Sequence, residues 1–160
     1  MVETNLPVLL LKNNIIFPYS EIRIEINDDS SKKMINSAIK NNDNQLLLIN
    51  PLEENPNMKD LPNIGVVGKI KSMLELSNGS LRVVLVGLER VSILNYLEND
   101  LGFLESFVIP IKENVVDSRE ISALRRVLFK ELNRYIDISS TMSNNVIGRT
   151  VGIDDIGKLT

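Results

Sequence analysis

Two apolar-rich runs, residues 64–76 and 81–86, flank Ser77-Asn78-Gly79-Ser80. An Asn-Gly pair between alternating hydrophobic runs is the strongest short-range hairpin signal, because both residues tolerate positive φ and fit the turns whose twist matches paired strands. The hairpin commits the chain to antiparallel sheet, and its surroundings extend that sheet. Residues 6–11 are too short for an independent helix and are bounded by Pro7 and a Lys12-Asn13-Asn14 turn, so they read as a buried strand. Ile15-Ile16-Phe17 reads as a second short strand, ended by Pro18, which cannot donate to a ladder. Residues 21–26 alternate, with Ile22, Ile24 and Ile26 on one face and Arg23 and Glu25 on the other, the pattern of a half-buried strand. Residues 45–49 form a compact apolar strand. Residues 91–97 and 103–111 give two more, joined by the polar turn Glu98-Asn99-Asp100 with Gly102 easing the return.

Between these strands, Asp28-Asp29-Ser30-Ser31 offers several N-caps ahead of Met34, Ile35, Ala38 and Ile39, whose spacing makes one apolar stripe on a short helix that stops at Asn41-Asn42. Residues 51–62 carry three prolines and no periodicity and read as an exposed loop. Seven or eight short strands and one small helix predict a closed or nearly closed β-barrel over residues 1–115, an α+β but mainly β class. The pattern changes at Asp117, which with Glu120 has capping-box spacing. Ile121, Leu124, Val127, Leu128, Leu132, Tyr135 and Ile136 then follow at helical spacing. Residues 116–160 are therefore expected to begin a helical part, whose weakly periodic end after Ser139 looks cut rather than finished.

Composition narrows the chemistry. With 43% hydrophobic residues but only 4% aromatic, the core must be built from Ile, Leu and Val. The net charge is -3, which gives no global source for the counterion release that drives non-specific nucleic-acid binding. There is no cysteine and no histidine, which removes disulfides, thiolate nucleophiles, imidazole bases and the usual zinc ligands together. The first apolar run follows no basic segment and is stopped by Lys12, so neither a signal peptide nor a membrane span is expected and the reading is cytoplasmic.

Candidate sites are few. No G-x-x-x-x-G-K-[ST] stretch exists, and Gly65-Val66-Val67-Gly68 reads as strand with tight backbone packing rather than a phosphate clamp. The pairs Asp28-Asp29, Glu53-Glu54 and Asp154-Asp155 are explained by helix capping and solubility, so no metal site is expected. Arg126, Lys130 and Arg134 fall at i, i+4, i+8 and are candidate contacts for an acidic partner, against the plainer reading of a solvated face partly paired with Glu131. Tyr19, Met58, Leu61 and Met73 are large, apolar and placed in loops or on the polar-facing side of strands, which makes them candidate contacts for exposed hydrophobic segments of other proteins. On residues alone this is a β-rich binding domain attached to a helix, without an active site of its own.

Taken in order, Leu6-Pro7-Val8-Leu9, Ile15-Ile16-Phe17-Pro18, residues 64–70 and residues 78–91 resemble motifs of the N-terminal domain of the ATP-dependent Lon proteases. Leu6-Pro7-Val8-Leu9 through Ile15-Ile16-Phe17-Pro18 resembles the family's LPVLPLR, hydrophobic triplet and FP. Ile64-Gly65-Val66-Val67-Gly68-Lys69-Ile70 is similar to EVGTVARI, and Asn78-Gly79-Ser80 through Val86-Gly87-Leu88-Glu89-Arg90-Val91 is similar to a DGT hairpin followed by VEGLERARI. The helix from Arg119 and Ile153-Asp154-Asp155-Ile156-Gly157-Lys158-Leu159 resemble the helical segment and the D-P-G-x-L-A-D stretch that follow. Leu10 for Pro, Tyr19 for Gly, Lys12-Asn13 for Arg-Asp and Ile156 for Pro are local departures. The resemblance implies a PUA-like β-barrel and a long C-terminal amphipathic helix. It also implies a parent enzyme that is a homo-hexamer with an AAA+ ATPase using ATP and Mg and a Ser-Lys protease module, neither of which lies in this chain. In that enzyme this region recognises unfolded or tagged substrates and supports assembly, so the chain itself is expected to have no catalytic residue and no cofactor. A stand-alone binding module of the same fold is the alternative; RNA binding is disfavoured by the acidic balance and few aromatics.

Overall fold

A strand buried on one face alternates apolar with polar residues, but the run from Leu46 to Ile49 does not, which requires cover on both faces. The computed structural model describes residues 3–12, 14–51, 53, 56–112 and 118–138. The first of its two units, Met1–Ile111, holds β1 (Thr4–Leu10), β2 (Glu21–Ile26), α1 (Asp29–Asn41), β3 (Gln45–Ile49), β4 (Ile64–Glu75), β5 (Leu81–Ile93), β6 (Leu97–Glu98) and β7 (Leu104–Pro110). One 3-10 turn, Met58–Asp60, precedes β4. The sheet order is β2-β5-β4-β3-β1-β7-β6, and a further β5–β7 pairing closes β5, β4, β3, β1 and β7 into a five-stranded ring. β1 and β3 run parallel, with Val8 opposite Leu47; β1 and β7 run antiparallel, with Pro7 opposite Glu105.

The middle of the sheet carries a core on each face. One face of the ring contributes Leu6 and Val8 from β1, Leu47 and Ile49 from β3, Val67 from β4, Val91 and Ile93 from β5 and Val108 from β7. All five ring strands contribute, as expected of a barrel interior. The opposite face contributes Leu9, Leu46, Leu48, Val66 and Ile70, which meet Leu81, Val83 and Leu85 of β5, Ile26 of β2 and Met34, Ile35 and Ala38 of α1. Leu46 and Leu47 are both 0% exposed although they point to opposite faces. The apolar run is thus the signature of a wall shared by two cores.

Two register shifts let β5 serve both. Opposite β4 the partner jumps from Glu89 to Gly87, leaving Leu88 as an extra residue, and a second shift lies between Ile70 and Ser72. Each such bulge bends the strand and adds twist. Residues 91–97 were expected as a separate strand, but they are not: Val91 to Ile93 continue β5 without a break. Gly87 makes that continuity possible. A Cβ there would lie 2.2 Å from the Phe17 carbonyl oxygen, and the Tyr19 N–H donates to Gly87 O at 2.8 Å while the Gly87 N–H donates to Ser20 O at 2.9 Å. Ser20 Oγ closes the same turn, donating to Phe17 O at 2.7 Å.

Ile15-Ile16-Phe17 is not the short strand expected of it. The described residues there have no ladder partner; Ile16 is buried in the α1-side core, while Ile15 and Phe17 are exposed. Strand propensity needs a neighbouring edge to pair with, and this segment is a crossover from β1 to β2. Gly65 and Gly68 match the reading of tight packing: a Cβ would meet Leu47 Cδ1 at 2.7 Å and Leu48 Cδ1 at 2.3 Å respectively. Asp28 is the cap chosen by α1, accepting from the Ser31 N–H at 2.8 Å. At the hairpin, Gly79 adopts φ 79°.

The second unit, Lys112–Thr160, contains α2 (Arg119–Ile138). Ser118 caps its first turn, its hydroxyl accepting from the Ile121 N–H at 3.2 Å; Asp117 of the expected capping box lies outside the described residues, as does everything after Ile138. The apolar stripe expected on α2 is only partly covered. Ile121, Phe129 and Leu132 are half-buried and Ile136 buried, whereas Leu124, Val127, Leu128, Tyr135 and Ile138 are exposed.

Candidate functional site

The two-core arrangement leaves an opening at the end of the sheet. Around the α1-side core, β1, β3, β4, β5 and β2 follow one another edge to edge, but β2 ends the sheet and, among the described residues, no strand joins it to β1. β7 pairs with β1 from Thr4 to Pro7, a register that uses the Val8 N–H because Pro7 has none, so among the described residues Leu10 has a ladder partner on the β3 side alone. A cleft of about 490 Å³ occupies this seam, lined by Val8 to Leu11 of the first strand and its extension and by Arg23 to Ile26 of β2. Its volume falls within the range of roughly 300–1,000 Å³ typical of ligand sites.

The floor of the cleft is the core itself. Leu9, Leu11, Ile26, Met34 and Phe103 belong to the buried cluster and also line the opening. The walls are fixed at both ends. Ser30 Oγ of α1 donates to Gly102 O at 2.7 Å, tying the helix start to the turn between β6 and β7, and Asn99 Oδ1 accepts from the Leu101 N–H at 3.0 Å to shape that turn. Gly102 there adopts φ 80°. Two of the acidic rim groups are already engaged: Asp28 caps α1, and Glu25 accepts from Ser80 Oγ at 2.7 Å and lies 3.9 Å from the Arg82 guanidinium. Lys12, Arg23 and Glu98 also stand on the rim. Beside the cleft, Glu21 is held below the usual carboxylate range, first by its hydrogen bond from Lys71 Nζ at 2.6 Å.

What lines the cleft sets its character. Its chemical groups are strand edges, aliphatic side chains and a rim of mixed charge. Among the described residues there is no cluster of His, Cys, Asp or Glu that could hold a metal ion, and no helix is long and apolar enough to cross a membrane.

The residues singled out from the sequence lie elsewhere. Tyr19 (58% exposed, φ 65°) sits in the turn held against Gly87, Met58 (43%) opens the 3-10 turn, and Met73 (41%) lies on β4 opposite Val83. None of the three lines the cleft. Leu61 is different: at 7% exposed it belongs to the barrel interior, so it is a core residue and offers no surface to a partner. Arg126, Lys130 and Arg134 are exposed on α2, and Arg134 lies 3.7 Å from Glu131 as its spacing suggested. The cleft residues were missed because a free strand edge is a property of pairing, which no single segment displays.

Comparison with known proteins supplies the family. Residues 5–160 match the model described as the ATP-dependent protease La (LON) substrate-binding domain. The Lon protease of Brevibacillus choshinensis is 30% identical over 157 residues, covering 96% of this chain, and that of Neorickettsia sennetsu is 31% identical over 162 residues, covering 97%. The chain spans 20% of the length of each of these relatives. The N-terminal domain of a Mycobacterium avium complex Lon protease has the same fold, with a TM-score of 0.74 at 24% identity over 98% of this chain and 79% of that one. The chain therefore belongs to the Lon substrate-binding domain family.

Proposed function

We propose that this domain captures unfolded or damaged polypeptides for an ATP-dependent serine protease and helps that enzyme assemble as a homo-hexamer in the cytoplasm. The observation that carries the reading is the family match across residues 5–160, joined to a fold whose apolar core opens to solvent at the seam between β1 and β2. The parent enzyme would hold ATP and Mg in an AAA+ module and cleave with a Ser-Lys dyad, both outside this chain; the 20% share of its relatives' length supports that division of labour. Tyr19, Met58 and Met73 are proposed to add apolar contacts around the captured chain, and Arg126, Lys130 and Arg134 to meet acidic groups of a neighbouring subunit or client.

Binding of reduced, alkylated lysozyme to the 160-residue chain, followed by fluorescence anisotropy, tests the proposal against native lysozyme as control. Saturable binding of the unfolded form alone is expected, weakened several-fold when Tyr19, Met58 and Met73 are replaced together by Ser. Equal binding of the two forms, or none of either, would refute the capture role; an unchanged affinity in the triple variant would remove those three residues from it.

A further inference from the structure

The cleft is bordered by strand edges, and strand edges are chemically specific. β2 pairs with β5 on one side and with no strand on the other among the described residues, and past the Pro7–Glu105 pair the Val8 carbonyl and the main-chain groups of Leu10 face away from β3 with no strand partner among them. Both edges line the same opening. An unpaired edge presents alternating N–H and C=O groups, a pattern of partial charges complementary to the edge of another extended chain. We infer that the seam between β1 and β2 is a strand-addition site, in which an extended segment of an unfolded protein inserts and pairs on both of its edges as a sixth strand, completing an enclosure around the α1-side core. This rests on the proposal that the domain captures polypeptides, and it assigns both the place and the mode of capture.

The surroundings suit that occupant. Alternate side chains of an added strand point to opposite faces, so one set would meet Leu9, Ile24, Ile26, Met34 and Phe103 while the other faced solvent. Main-chain pairing supplies affinity without demanding a sequence, and the apolar floor supplies preference for alternating hydrophobic segments. The rim holds charges of both signs, with Lys12 and Arg23 against Glu98, and none of these three forms an ion pair among the described residues. Binding should therefore depend little on salt. Native sheets usually guard long flat edges with charge or by keeping them short; β2, at six residues with exposed Glu21, Arg23 and Glu25, is guarded against self-pairing on its outer face while its other face stays apolar.

The test uses a fluorescein-labelled, end-capped octapeptide of alternating valine and threonine, titrated onto the 160-residue chain. Two further versions carry N-methyl groups at alternate amides, one set on each edge of the extended peptide. Insertion at the seam predicts that either set weakens binding at least tenfold. It also predicts that the outward-facing amides of Leu10, Arg23 and Glu25 gain at least tenfold hydrogen-exchange protection when the unmodified peptide is present, and that reduced, alkylated lysozyme displaces it. If only one set or neither matters, or if protection rises away from the seam, strand addition at this place is overturned. If reduced, alkylated lysozyme binds but does not compete with the octapeptide, capture stands and the seam falls. If the lysozyme probe itself fails to bind, the capture reading falls first.

Discussion

The two cores of the first unit differ in one strand pairing. Around the barrel interior, β5 reaches β7 through Val91 to Ile93 and the ring closes. Around the α1-side core the same four strands β1, β3, β4 and β5 are used, but among the described residues β2 does not pair with β1, and α1 and a turn cover only part of the gap. Closure removes edges altogether. The closed side therefore keeps its apolar residues sealed, while the open side keeps hydrogen-bonding groups and apolar surface in reach of a partner. One sheet wall serving both gives the domain a rigid backing for an incomplete half, which is how a binding site on strands keeps its geometry.

The largest expected effects come from emptying either core. Leu47→Ala on the closed side and Met34→Ala on the open side each remove a fully buried side chain, and each should cost about 2–5 kcal/mol. Because β3 and β4 belong to both cores, both substitutions should shift one and the same denaturant transition, followed by circular dichroism. A second, earlier transition in Met34→Ala alone would show that the open half melts independently and would break the picture of a shared wall. Next comes Gly87→Ala, where the new methyl would stand 2.2 Å from the Phe17 carbonyl oxygen. Backbone on one side and a ladder on the other leave little room to yield, so a loss of about 1–3 kcal/mol is expected. Faster hydrogen exchange at the amides of Tyr19 and Gly87 should accompany it, since their bonds hold the turn to β5.

The parts legible in the sequence are those written locally. The Asn78-Gly79 hairpin, the alternation of β2, the Asp28 cap and the Gly102 return all reflect dihedral preferences or side-chain spacing within a few residues, and each forms. Ile15-Ile16-Phe17 and residues 91–97 misled because pairing, not propensity, decides whether an apolar stretch is a strand and where it ends. Leu61 misled because it lies in a proline-rich stretch without periodicity and yet packs into the barrel interior. The seam was not legible at all: Leu9 and Leu11 read as core, which they are, and only the absence of a β1–β2 pairing turns them into the floor of a site.

A smaller effect separates the two sides by pH. On the closed side, Tyr96 Oη donates to Pro62 O at 2.6 Å and its ring packs against the barrel interior; burial pushes its hydroxyl up to about 12. An acid that ionises later in the folded than in the unfolded state makes stability fall as pH rises, from the unfolded value near 10 until the folded value is passed. Tyr96→Phe should lose about 0.5–1.5 kcal/mol at neutral pH, the usual net worth of one hydrogen bond. It should also flatten the decline in melting temperature between pH 10 and 12, and an unchanged slope would show that the decline arises elsewhere.

The smallest effect belongs to the open side. Glu21 of β2 and Lys71 of β4 meet at 2.6 Å across β5, both with exposed side chains, and the Lys71 hydrogen bond lowers the Glu21 carboxyl below its ordinary value. A depressed carboxylate contributes stability that is present above its unfolded pKa and lost as pH falls through its folded pKa. Solvent screens an exposed pair, so Glu21→Gln should leave the melting temperature near neutrality almost unchanged and remove a slight acid-side slope below the ordinary carboxylate range. The comparison between the two sides turns on what else changes. If β2 is held against β5 by its ladder alone, hydrogen exchange at its paired amides will be the same in Glu21→Gln and in the parent chain, and the seam keeps its width. Faster exchange confined to β2 would mean that the exposed ion pair helps set the free edge, making the open side adjustable by pH where the closed side is fixed.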